Sequence, residues 1–260
     1  MPFIGLLSII LFVSTSALYG HGGPCEAQLI ATWNIMSVMS TRIYPGGILR
    51  SRRVLFATHA SEYWNKQRVG GPEQNRIIRK ALESGIPTVY LIHGLRTGEL
   101  LQYYLQFQPT YTYLSSGGGH DIQLETEEVC LTGGAFSLCL GETARDSILF
   151  GRFSKAARLT FYSRAIYGTF NDSPTMATLH SQIAVLRGHE LVEWTRKNLF
   201  TRSLAFGKQN TEERCATALD HRFDILMNGQ KQGMIESRCR NPQLPRRIVE
   251  LNFVTEEEAF

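Results

Sequence analysis

The sequence predicts an α/β fold, a three-layer αβα sandwich built on a mainly parallel sheet. Three observations carry this. From residue 53 onward, short continuous apolar runs end in polar residues, as strands buried on both faces do. Those runs alternate with amphipathic segments of helix length, which implies right-handed crossovers and helices on both faces of the sheet. The chain of 260 residues is 43% apolar and 10% aromatic, enough for a substantial core in one domain.

The elements follow in order. "RVLFATH" (53–59) is the first buried strand. "PEQNRIIRKALESG" (72–85) is a helix, with Pro72 suited to its first turn and Gly85 to its stop. "PTVYLIHG" (87–94) is the next strand, and "TGELLQYYLQF" (97–107) a helix with Thr97 as its cap. "TYTYLSSGGGHD" (110–121) gives a strand that runs into a glycine loop. "EVCLTGG" (128–134) is the fourth strand, with "AFSLCLGETARDSILF" its helix, and "ARLTFYSRAIYG" (157–168) closes the series. Beyond residue 171 a long helical stretch starts at Ser173 and Pro174, with Gly188 as a break. An Asn-Gly pair between apolar runs in "RFDILMNGQKQGMIESRC" predicts a hairpin, and "RRIVELNFV" a further strand. Residues 21–260 thus read as a single α/β domain, with 172–260 its helical and hairpin C-terminal extension.

Residues 1–20, "MPFIGLLSIILFVSTSALYG", combine a short apolar run with small residues and read as a secretory signal peptide cleaved near Ala17 or Gly20. No Lys or Arg precedes the run, and a retained N-terminal anchor is the alternative. The expected location is secreted or periplasmic, with no membrane span after signal removal. The formal net charge of +4 is dispersed, with small knots at Arg50, Arg52 and Arg53 and at Arg246 and Arg247. Neither is interleaved with stacking aromatics, which argues against a nucleic-acid partner. A small-molecule substrate or ligand is expected, with a possible homo-oligomer. Of five cysteines, Cys215 and Cys239 flank the hairpin and are expected to pair, Cys130 lies in an apolar strand as an inert buried thiol, and Cys25 and Cys139 are unassigned.

In a doubly wound sheet, ligands bind beyond the carboxyl ends of the strands. There the sequence places His59 and Glu62, then His93, then Ser116, His120 and Asp121, and finally Gly133, Gly134 and Cys139. The two glycines allow a sharp turn and close approach to a ligand. With Ser137 as cap, Cys139 falls in the first helical turn, where the helix dipole lowers a thiol pKa and free N–H groups can receive an oxyanion. The bland reading is packing. Phe136, Leu140, Thr143 and Ser147 share one stripe, and Cys139 sits at its edge. The "SSGGGHD" loop (115–121), with Ser116 and His120 as ligand-binding candidates, is either an anion cradle or a connector.

The segment "LTGGAFSLCLGETARDSI" (131–148) resembles the nucleophile segment of the isochorismatase-like cysteine hydrolases, which include nicotinamidases. The shared features are Gly133 six residues before Cys139 and the run Thr143-Ala144-Arg145-Asp146 after it. "ALESGIPTVYLIHG" (81–94) is also similar to that family's second helix and strand, so the resemblance spans roughly 53–150. It implies hydrolysis of a small amide, imide or ester by a cysteine nucleophile. The family's aspartate at the end of the first strand is His59 here, with Glu62 the nearest carboxylate, and no lysine lies between Tyr111 and Glu128. His59 or Glu62 would then move the proton. Some members of the family bind a metal near the nucleophile, and His59, His93, His120 and Asp121 are a candidate set for a divalent ion such as zinc, without tight ligand spacing. "VYLIHGL" (89–95) is similar to the oxyanion strand of α/β-hydrolases, but no G-x-S-x-G elbow follows. The competing expectation is a non-catalytic periplasmic or secreted small-molecule or metal-binding protein on the same scaffold.

Overall fold

A computed structural model of the chain describes residues 43–58, 70–92, 108–115, 118–167, 177–200, 221–236 and 247–256. The proposed signal segment, Cys25, Cys215, Cys239 and the helix expected at 97–107 lie outside these residues.

The described strands are β1 (Ile48–Arg50), β2 (Arg53–Thr58), β3 (Thr88–Ile92), β4 (Tyr111–Leu114), β5 (Gln123–Gly134), β6 (Gly151–Tyr167), β7 (Arg222–Met227), β8 (Gln230–Glu236) and β9 (Ile248–Val254). They form one sheet in the order β4-β3-β2-β5-β6-β9-β7-β8, with β1 alongside the start of β5. Only β7 and β8 pair antiparallel. The α/β class and the mainly parallel sheet are therefore as expected. So is the hairpin, where Asn228 and Gly229 both take positive φ, as a two-residue turn that follows strand twist requires.

Two helices cover opposite faces of the sheet. Helix α1 (Gly71–Glu83) sets Ile77, Ile78 and Ala81 against Leu55, Ala57, Tyr90 and Cys130. It ends as Gly85 predicted: Gly85 takes φ +68, its N–H donates to the Leu82 carbonyl and that of Ile86 to the Ala81 carbonyl. Helix α2 (Cys139–Phe150) packs Leu140, Ala144 and Ile148 into the larger cluster with Phe56, Leu131 and Phe161. Short helices α3 (Leu179–Ile183) and α4 (Gly188–Thr195), the latter running on into a π-helical turn at Arg196–Phe200, contribute Leu179, Ile183, Leu191 and Leu199 to the same cluster. Among the described residues no helix is long and apolar enough to cross a membrane.

Three boundaries differ from the sequence reading. Strand β5 starts at Gln123 rather than 128, and β6 at Gly151 rather than 157. The polar runs that hid these starts pair with each other and with β1, and β5 against β6 shifts register between Thr126 and Glu128. Over residues 177–200 the long helix expected beyond residue 171 is instead two short ones, and its expected start at Ser173 and Pro174 lies outside the described residues. Thr178 caps the first, its side chain accepting from the Ser181 N–H, and Gly188 opens the second.

Candidate functional site

Along the sheet the chain runs outward from β2 through β3 to β4 on one side, and from β5 to β6 on the other. The order reverses between β2 and β5, whose carboxyl ends meet where Thr58 pairs with Gly133. Such a reversal splays the following loops apart and leaves the crevice in which open α/β sheets bind ligands.

Both glycines at the end of β5 are set by near neighbours. Gly133 takes φ +98, and a Cβ there would lie 1.9 Å from the Thr58 carbonyl oxygen. A Cβ on Gly134 would lie 2.4 Å from the Tyr167 ring. The close approach expected to serve a ligand is made, in the folded chain, to β2 and to Tyr167. Phe136 then anchors the turn. Its ring centroid lies 5.5 Å from that of Phe161 and 5.6 Å from that of Trp194, with no exposure to solvent. The Leu138 N–H closes the turn on the Ala135 carbonyl.

Helix α2 begins at Cys139 itself. Leu138, not Ser137, stands at the N-cap and offers no side-chain hydrogen bond, while Ser137 is buried. The predicted stripe is present: Phe136, Leu140, Thr143 and Ser147 are fully buried, with Cys139 half-buried at its edge. The expected lowering of the Cys139 pKa is reversed. Burial pushes the thiol up and the Glu142 carboxylate one turn on adds to this, while backbone hydrogen bonds with Ala135 and Cys139 itself offset only part. The resting group is a thiol, because partial desolvation and a nearby negative charge both disfavour thiolate.

The glycine loop after β4 lies directly on this helix start. A Cβ on Gly118 would fall 1.5 Å from the Cys139 carbonyl oxygen. The Gly118 N–H donates to Glu142 Oε2 at 3.2 Å, and Thr143 Oγ1 donates to the Gly118 carbonyl at 2.8 Å. The His120 N–H donates to Asp146 Oδ2 at 3.0 Å, and His120 Nε2 lies 3.1 Å from Ser147 Oγ. Thr58 Oγ1, from the end of β2, is 3.2 Å from Thr143 Oγ1. One face of α2 thus grips the loop at four positions. The pattern of polar residues at 142, 143, 146 and 147, one helical face, was the available sequence signal, and assigning 143 and 147 to a packing stripe obscured it.

His120 is 4% exposed, stacked on Phe56 with ring centroids 4.6 Å apart. Burial drives its pKa down to about 4, so it is neutral at physiological pH. Its Nδ1 has no hydrogen-bond partner among the described residues. Asp121 is exposed and accepts the Tyr113 hydroxyl at 2.6 Å. The expected metal set is therefore half described: His120 and Asp121 are engaged as stated, while His59 and His93 lie outside the described residues, as do Glu62 and Ser116. Among the described residues no three His, Cys, Asp or Glu side chains are grouped to hold a metal ion. Cys130 is buried under α1, with the Tyr162 hydroxyl 3.8 Å from its sulfur and its thiol pushed up to about 12.

No family model and no curated protein matches the chain. Among solved structures the chain is similar to a "putative isochorismatase hydrolase" from Oleispira antarctica, at 12% identity and TM-score 0.35, over 52% of this chain and 89% of that one. It is also similar to a cysteine hydrolase from Pseudomonas syringae pv. phaseolicola 1448A, at 13% identity and TM-score 0.34, over 60% of this chain and 86% of that one.

Proposed function

We propose that this chain is a hydrolase of a small amide, imide or ester, with Cys139 as its nucleophile. The observation that carries the reading is position. Cys139 is the first residue of a helix that directly follows β5, at the point where the strand order of the sheet reverses.

The chemistry follows from the site's electrostatics. Because the thiol is held protonated, attack requires a base that takes the proton as the Sγ–C bond forms. His59 or Glu62, which follow β2 in the chain, fill that role in this reading. The carbonyl oxygen gathers negative charge, and in this reading the backbone N–H groups of the first turn of α2 that the turn itself does not use hold it. Collapse breaks the C–N or C–O bond, and the base returns its proton to the departing amine or alcohol. Water then cleaves the thioester, releasing the acid and restoring the thiol. Burial, with the Glu142 carboxylate adding to it, keeps thiolate from accumulating between turnovers.

The test is Cys139→Ala against a panel of small amides, imides and esters, with turnover and binding measured separately. Loss of turnover with binding retained supports the reading. Turnover by the variant at the wild-type rate refutes it. A protein that binds a panel member but never turns one over is the non-catalytic binding protein instead. We further propose that residues 1–20 are removed on export, which N-terminal sequencing of the protein recovered from outside the producing cell's cytoplasm checks.

A further inference from the structure

The Thr143 hydroxyl meets the start of its own helix and two other segments at once. Its Oγ1 lies 2.8 Å from the Gly118 carbonyl oxygen, 3.0 Å from that of Cys139 and 3.2 Å from Thr58 Oγ1. A hydroxyl has one proton and two lone pairs. The two carbonyls share the proton, and the Thr58 hydroxyl donates to a lone pair. A bond from a helical threonine back to the carbonyl four residues earlier is commonplace and marks nothing by itself. Here the same oxygen also joins the end of β2 and the loop after β4, the two segments flanking the start of α2. Thr58 and Thr143 are both fully buried, so water does not replace a missing member of this junction without cost.

The junction also holds the loop against the Cys139 backbone. Gly118 packs so near the Cys139 carbonyl that only a residue without a Cβ fits, and Thr143 fixes that contact.

We infer that Thr143 is a positioning residue for Cys139, locking the β4 loop and the β2 end onto the first turn of α2 and so fixing the direction and solvent exposure of the thiol. This rests on the reading of Cys139 as nucleophile. Valine in place of Thr143 keeps the shape but leaves the Gly118 carbonyl and the Thr58 hydroxyl without their partner. The loop then loosens, Cys139 gains water, and its thiol titrates lower.

The experiment uses the full chain and iodoacetamide as probe, with alkylation of each cysteine mapped by mass spectrometry across a pH series and thermal unfolding followed alongside. Wild type, Thr143→Val, Thr143→Ser and Thr58→Val are compared. With Thr143→Val, alkylation of folded Cys139 at pH 7 is expected to rise about fivefold with its pH midpoint moved down, the effect of losing one net hydrogen bond. Thr143→Ser restores the wild-type profile, and Thr58→Val shifts it the same way by less. A wild-type Cys139 profile in both valine variants, whatever their melting temperatures, overturns the positioning role and leaves the nucleophile reading standing. If wild-type Cys139 reacts only after denaturation, the nucleophile reading itself fails, before any variant is compared. Should Thr143→Val not fold, Thr58→Val decides by the same criterion.

Discussion

His120 makes the stability of this fold depend on acid in a calculable way. The imidazole is buried against Phe56 and bonded to Ser147, and its pKa falls from 6.5 to about 4. Desolvation is the main cause, and the nearby Asp146 charge opposes it without cancelling it. Above pH 6.5 the ring is neutral whether the chain is folded or not, and its contribution is complete. Below 6.5 the unfolded chain takes up a proton that the folded chain refuses until the pH nears 4. Stability is therefore lost as pH falls through this window. At 1.36 kcal/mol per pH unit the loss is about 2 kcal/mol by pH 5 and about 3 kcal/mol by pH 4. The variant to compare is His120→Gln, whose amide still reaches the Ser147 hydroxyl and does not titrate. Urea unfolding followed by tryptophan fluorescence at pH 7, 6 and 5 gives the difference between the two proteins, in which the other titrating groups cancel. The variant is expected to be the less stable at pH 7, having lost the ring stack, and to gain about 2 kcal/mol on wild type by pH 5. A gap that stays constant across the series would mean that His120 is protonated as readily in the fold as in the unfolded chain, and the assignment of a neutral buried imidazole would be wrong.

Two further perturbations probe the architecture of the site. Gly133→Ala places a Cβ 1.9 Å from the Thr58 carbonyl oxygen at a φ of +98, so β2 and β5 must part at their carboxyl ends; a loss of more than about 4 kcal/mol is expected by chemical denaturation, and a loss below 1 would show that the strands tolerate separation. Phe136→Ala empties a fully buried ring position between Phe161 and Trp194 and is expected to cost about 3–5 kcal/mol in the same assay, with faster alkylation of Cys139 as the turn before it loosens.

Much of the fold was legible because it rests on local patterns. The apolar run 54–57 reads as a buried strand from its residues alone, Gly85 ends a helix because it alone accepts the left-handed conformation cheaply, and Asn228-Gly229 admits few turns other than the one it makes. The starts of β5 and β6 were not legible. Their polar residues become strand only by pairing with each other and with β1, a contact between segments far apart in sequence.

The same division holds at the site. The sequence alone put Cys139 after a strand and two glycines and at the edge of a buried stripe, and both statements describe the folded chain. The order of strands, which makes β2 and β5 neighbours at the point of reversal, is a property of the whole sheet. So is the charge state of the groups there. A helix start by itself favours thiolate, but burial and Glu142 outweigh it at Cys139, and an imidazole that titrates near 6.5 in water is held neutral at His120 by an apolar ring and a packed loop. Residue type and spacing specify which groups can ionise. Desolvation and the fields of distant neighbours, which exist only once the chain has folded, decide whether they do.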